Sequence, residues 1–269
     1  VAGCFSNAAC NGPKAYKNSF IGDDTPLKPT NVKATVDIKT GKVNLSWTAV
    51  TKGINGGYVG DMKYNVVRYP DNKAIATATA ATSVSDVLPG GDLTGYYYTV
   101  QAISGQRKSE SVKSNSISFG DVLEPPYYQN FENANSMNTL TVLDENNDGT
   151  TWSFLENDGS NQPAVQISYA EDNHDDWLIL PGLNLKAGVL YNVTYRVATQ
   201  GSSYPEELEV KYGAEPTAAA MIHEVASKTE YTNQDYVTVK KEIVVDKDQV
   251  ANIGFHCTSR ADWCYHLIL

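Results

Sequence analysis

In the stretch Tyr96-Tyr97-Tyr98-Thr99-Val100-Gln101-Ala102, the residues Tyr96, Tyr98, Val100 and Ala102 occupy alternate positions. An extended strand sends alternate side chains to opposite faces, so these four share one face. The same period of two recurs upstream in Val32, Ala34 and Val36, again in Val43, Leu45 and Trp47, and Tyr64-Asn-Val-Val-Arg-Tyr69 reads as a further strand. Downstream it returns in Tyr191, Val193, Tyr195 and Val197, then in Leu208, Val210 and Tyr212. Val237 with Val239, and Ile253 with Phe255 and Cys257, extend it. Clusters of Gly, Asn, Asp and Pro punctuate these runs, and no segment keeps a helical period for more than a few turns. The chain reads as all-β. Residues 218–226 alone have helix-forming composition, and 227–234 read as a polar loop.

The 269 residues suggest two domains, at roughly 100–200 residues per domain. Ile21-Gly-Asp23 precedes Pro26, and Phe119-Gly-Asp121 precedes Pro125; the two Gly-Asp steps stand 98 residues apart, about one β-sandwich module. Residues 1–24 are then expected to be the trailing strands of a preceding module plus a linker, with strands at 1–6 and 14–21. Residues 25–121 form a first sandwich and 122–269 a second. Glu124-Pro-Pro-Tyr-Tyr128 reads as a stiff, extended linker. A net charge of −10 disfavours nucleic acid or an anionic membrane as partner and suits a surface protein that holds cations. No apolar run is long enough to span a bilayer, and an exported chain would carry its leader upstream of Val1.

Within 25–121, Pro-Thr-Asn-Val, Leu-Ser-Trp-Thr, Tyr-Asn-Val-Val-Arg and Tyr-Tyr-Thr-Val-Gln-Ala follow one another in that order. This succession resembles a fibronectin type III module of the immunoglobulin-like class. The resemblance implies that Trp47 is the core tryptophan of the second strand and that Tyr96 or Tyr98 is the buried tyrosine of a later one. Such modules serve most often as spacers. There is no Arg-Gly-Asp tripeptide, and the 51–61 loop is long and Gly-rich.

The sharpest chemistry lies in Asp144-Glu-Asn-Asn-Asp-Gly-Thr-Thr-Trp152. Asp144, Asn146 and Asp148 place hard oxygen donors at alternate positions ahead of Gly149, as a calcium loop requires. The twelfth position is Leu155 rather than the bidentate Glu of a helix-flanked calcium loop, so any metal here sits in a β-protein loop and draws further ligands from elsewhere. A turn rich in Asp, Asn and Gly without metal is the other reading. Gln129-Asn-Phe-Glu132 comes before this stretch, and Asp175-Asp-Trp-Leu-Ile-Leu-Pro-Gly-Leu-Asn-Leu185 after it. The ordered set is similar to the cleaved-adhesin jelly rolls, related in fold to MAM-like domains, of secreted and cell-surface bacterial proteins. That resemblance implies a non-catalytic adhesion or ligand-binding module stabilised by Ca2+. It assigns Glu132 and Asp175 or Asp176 to the ligand set beside Asp144, Asn146 and Asp148. It leaves Trp152 and Trp177 as core or as the floor of a sub-site.

Catalytic signatures are missing from the sequence. His174 beside Asp175 and His223 beside Glu224 are the only close acid–base neighbours, and neither adjoins a nucleophile motif, a zinc-protease motif or a phosphate-cradling Gly loop. The four cysteines form two close pairs, Cys4 with Cys10 and Cys257 with Cys264, each able to close a small loop if oxidised or else to remain as buried thiols. The expectation is a non-enzymatic extracellular or cell-surface adhesion module that binds a protein or glycan next to further domains of a longer chain. The alternative is a carbohydrate-binding accessory region of a larger extracellular glycanase or protease.

Overall fold

The computed structural model describes residues 22–261 and 264–269. The strands expected at 1–6 and 14–21, and the Cys4–Cys10 pair, lie outside the described residues. The rest is all-β, in two sandwiches.

The first sandwich packs a sheet ordered β1-β2-β5 on one ordered β4-β3-β6-β7. Its strands are β1 (Thr30–Asp37), β2 (Lys42–Thr48), β3 (Met62–Tyr69), β4 (Lys73–Thr79), β5 (Ser83–Val87), β6 (Thr94–Ser104) and β7 (Arg107–Lys113). The short β8 (Ile117–Phe119) pairs with the start of β6. Period-two patterning works as expected: Val43, Leu45, Trp47, Tyr64, Val66, Tyr96, Tyr98, Val100 and Ala102 all point into one core. Trp47 meets Tyr64 edge to face at 5.2 Å, and the Tyr64 hydroxyl accepts a hydrogen bond from the Val50 amide at 2.8 Å. The long Gly-rich loop is closed by Asp24, whose carboxylate accepts from the amides of Thr25, Asn55 and Gly57 and from the Asn55 side chain. Burial pushes the Asp24 carboxyl up, but these donors outweigh it and hold its pKa below the usual range.

The second sandwich opens with a short 3-10 helix (Ala134–Thr139), capped by the Asn133 side chain, and β9 (Thr141–Asp144). There follow β10 (Ser153–Leu155), β11 (Ala164–Ser168), β12 (Asp176–Ile179), β13 (Leu183–Leu185), β14 (Leu190–Thr199) and β15 (Glu206–Gly213). The remaining strands are β16 (His223–Tyr231), β17 (Val237–Val244), β18 (Gln249–Cys257) and β19 (His266–Ile268). One sheet runs β10-β11-β19-β14-β17, the other β16-β15-β18-β12-β9 with β13 added on β18. Every strand pair is antiparallel. Val165, Ile167, Leu178, Val197, Leu208, Val210 and Leu267 fill the space between the sheets.

Two expectations need correcting. Residues 218–226 are not a helix: a single 3-10 turn (Ala218–Ala220) gives way to β16. Most of 227–234 is strand, because antiparallel pairing of β16 with β15 overrides a polar edge sequence. Of the two readings open for Cys257 and Cys264, the structure has the buried free thiols; the Cys257 sulfur lies 3.3 Å from the Ser259 hydroxyl. The Pro-rich segment is also docked rather than free-standing, since Leu123 exchanges backbone hydrogen bonds with Gly182 and Asn184.

Candidate metal centre

Strand alternation decides what the two acidic segments can do. Asp176 pairs in register with Asp144 across β12 and β9, and with Cys257 across β18. Leu178 and Val142, two residues along on the same faces, belong to the inner core, so Asp176 and Asp144 point inward too. Trp177, Ile179 and Leu143 point to the opposite face and pack with Met221. Asp175, one residue before Asp176, is on that outer side. Its carboxylate meets His256 Nε2 at 2.8 Å, while His256 Nδ1 meets Glu209 at 2.7 Å and the imidazole stacks on Trp177 at 4.0 Å.

Asp176 is fully buried. One of its oxygens, Oδ2, lies 3.0 Å from His174 Nδ1; the other, Oδ1, is buried with no hydrogen-bond partner. Asp144 repeats this state: Oδ2 accepts from the Gly149 amide at 3.0 Å and Oδ1 is buried without a partner. The Thr151 hydroxyl, also buried, stands beside Asp176. Burial pushes the Asp176 carboxyl up, with the Asp144 charge adding to this, and outweighs the help of His174 and of the Thr151 hydroxyl. Two carboxylates thus face each other across paired strands, each with one buried oxygen outside the hydrogen-bond network. Buried polar atoms left unpaired are uncommon and costly.

The loop between β9 and β10 is built largely on its own side chains. Asn146 Nδ2 donates to Asp148 Oδ2 at 3.0 Å and to the Asn173 carbonyl at 2.7 Å, and Asp148 Oδ1 accepts from the Thr150 amide at 2.6 Å. Left-handed backbone at Asn147 (φ +59°) and Gly149 (φ +86°) makes the turn. Trp152, buried, donates its indole N–H to the Asp176 carbonyl at 3.1 Å, tying the end of the loop to β12. Glu132 is exposed and accepts from Asn130 at 2.8 Å. The structure therefore brings Asp144 and Asp176 together and joins Asn146 to Asp148. It engages Asp175 with His256 and leaves Glu132 on a local contact. Among the described residues no three His, Cys, Asp or Glu side chains converge on one point. Sequence reasoning missed Thr151 and the role of His174. The threonine inside the acidic stretch and the His two residues before Asp176 were the available signals.

No family model matches this sequence, and no curated protein matches it. Solved structures do resemble it in shape. The K1 cleaved adhesin domain of Lys-gingipain from Porphyromonas gingivalis W83 is similar over 48% of this chain and 85% of its own, with 14% identity and a TM-score of 0.40. A structure of carbohydrate-binding modules from the β-sandwich superfamily is similar over 92% of this chain and 96% of its own, with 12% identity and a TM-score of 0.39. A Fn3-like protein from Clostridium thermocellum is similar over 38% of this chain and 98% of its own, with 24% identity and a TM-score of 0.26.

Proposed function

We propose that this chain is a non-catalytic adhesion module of the extracellular space or bacterial cell surface. Its second sandwich is stabilised by calcium, and it holds a protein or glycan ligand. The observation that carries the calcium reading is the facing pair Asp144–Asp176, with one buried, unpartnered oxygen on each and the Thr151 hydroxyl alongside. Hard oxygens with excess negative charge are what calcium selects. Asp144, Asp176 and Thr151 would hold the ion first. Asn146 and Asp148 would follow by a shift of their loop, and Asp175 and Glu132 only by leaving His256 and Asn130. The ion would supply charge neutralisation and cross-link β9 to β12. A net charge of −10 and the all-β architecture agree with a surface setting. Among the described residues, no helix is long and apolar enough to cross a membrane. The accessory carbohydrate-binding reading is favoured by a cleft of about 520 Å³ in the second sandwich, lined by Tyr127, Phe131 and Arg196.

Thermal unfolding in excess calcium and in chelator tests this reading. Ligand that binds only the folded state stabilises by mass action, about 2.7 kcal/mol at 100-fold excess over Kd, which is on the order of 5–10 °C for a domain of this size. Wild type is expected to show that rise, and Asp144→Asn and Asp176→Asn to lose it. A wild-type midpoint that ignores both calcium and chelator would overturn the metal reading.

A further inference from the structure

A cleft of about 520 Å³ opens at the edge of the second sandwich, between β14 and the segment that precedes the 3-10 helix. That is within the roughly 300–1,000 Å³ usual for small-ligand sites. Leu178 and Phe255, both core residues, form its floor. Tyr127 and Phe131, half-buried, present ring surface to it. Phe131 takes a left-handed φ of +52°, a conformation a bulky residue rarely adopts.

The rim is polar in a particular way. Asp158 is held by its own turn, with Oδ1 accepting from the amides of Ser160 at 2.7 Å and Gln162 at 3.2 Å. Its other oxygen, Oδ2, is buried, with the Tyr236 hydroxyl beside it. Arg196 is exposed and lies over the Tyr236 ring at 4.3 Å, and among the described residues no carboxylate forms an ion pair with it. One guanidinium with free donors, the Asp158 carboxylate and the Tyr236 hydroxyl therefore flank an apolar, aromatic floor. Hydroxyl groups both donate and accept, so a polyol satisfies both sides at once, and the C–H faces of sugar rings pack on Tyr127 and Phe131. The rim balances one positive against one negative group, and the chain as a whole carries −10, which disfavours a polyanionic ligand.

We propose that this cleft binds a short neutral oligosaccharide, with Asp158 accepting from and Arg196 donating to its hydroxyls. The proposal rests on the binding-module reading and narrows it to a glycan at a named site. Isothermal titration with xylotriose, cellotriose, mannotriose and chitotriose tests it, on wild type, Arg196→Ala, Gln162→Ala and, as a control remote from the cleft, Lys52→Ala. Arg196, Gln162 and Lys52 are exposed, so these replacements leave the core intact. The expected result is measurable binding of at least one trisaccharide, weakened tenfold or more by Arg196→Ala and several-fold by Gln162→Ala, and unchanged in Lys52→Ala. Binding that survives both cleft variants overturns the site while leaving a glycan-binding module in place. No heat with any of the four sugars overturns the neutral-oligosaccharide assignment, and the calcium response then judges the module reading separately.

Discussion

Arg68 is buried in the first sandwich, where it meets Asp71 at 2.6 and 3.1 Å and Asp86 at 2.6 Å. The Tyr98 hydroxyl donates to the same Asp86 oxygen at 3.0 Å. The Asp71 and Asp86 carboxylates hold the guanidinium strongly protonated against the cost of burial. Arg68→Ala strands Asp86 in the protein interior and is expected to cost about 3–5 kcal/mol in urea unfolding. Asp71→Asn, at a half-exposed site, should cost no more than about 1 kcal/mol. Equal losses from the two replacements would contradict this account. Two glutamates of the second sandwich are set in opposite directions. Burial lifts the Glu206 carboxyl above its usual range, against the Tyr265 amide and the Ser259 hydroxyl, which favour the anion. Its contribution to stability is whole below the ordinary glutamate pKa and is lost as pH rises through the raised value. Burial also pushes Glu209 up, but His256 and Lys211 outweigh it and hold its pKa low. The Glu209 contribution is present above the ordinary value and lost as pH falls through the lowered one. Gln stands in for the neutral carboxyl, so both variants should track wild type on the acid side and part from it as pH rises, Glu206→Gln becoming relatively more stable and Glu209→Gln relatively less stable. Coincident curves would refute the assignment.

At the scale of the element, β12 shows how one strand separates two functions. Asp175 and Asp176 are equivalent in sequence, and the resemblance alone left either as a ligand. Period-two alternation sends Asp176 to Asp144 in the interior and Asp175 to His256 outside. The 214–222 loop shows the converse, an element whose place depends on a missing side chain. A Cβ at Gly213, on the end of β15, would stand 2.0 Å from the Ala220 carbonyl oxygen, so the loop folds back only because that position is glycine. Gly213→Ala must displace backbone and is expected to destabilise by about 1–3 kcal/mol, the usual cost of overpacking. A urea midpoint equal to wild type would mean that the loop does not pack there. The misread 227–234 segment has the same lesson: its side chains are polar, yet β15 supplies the hydrogen bonds that make it a strand.

At the scale of the molecule, the two cores share no side chain: Trp47 belongs to one, Trp152 to the other, and Trp177 packs on the outer face of the second sandwich. We expect two unfolding transitions. Trp47→Phe should remove most of the fluorescence change of one while leaving the other, and calcium should move only the transition that Trp47→Phe leaves. A single cooperative transition by every probe would show instead that the sandwiches unfold as one unit.

The sequence by itself determined the all-β class, most of the strands, and the core positions of Trp47, Tyr96 and Tyr98. Those follow from side-chain periodicity, which is local and survives in one dimension. It also singled out the acidic loop, because Asp, Asn and Gly at tight spacing suit either a hard-cation loop or a tight turn. Only the tertiary structure decided that Asp176 rather than Asp175 faces Asp144, and that Cys257 and Cys264 remain free thiols. It alone brought Asp158, Arg196 and Tyr236 to one cleft. These depend on register between strands separated by tens to a hundred residues, and a register shift of one residue would turn every side chain to the opposite face.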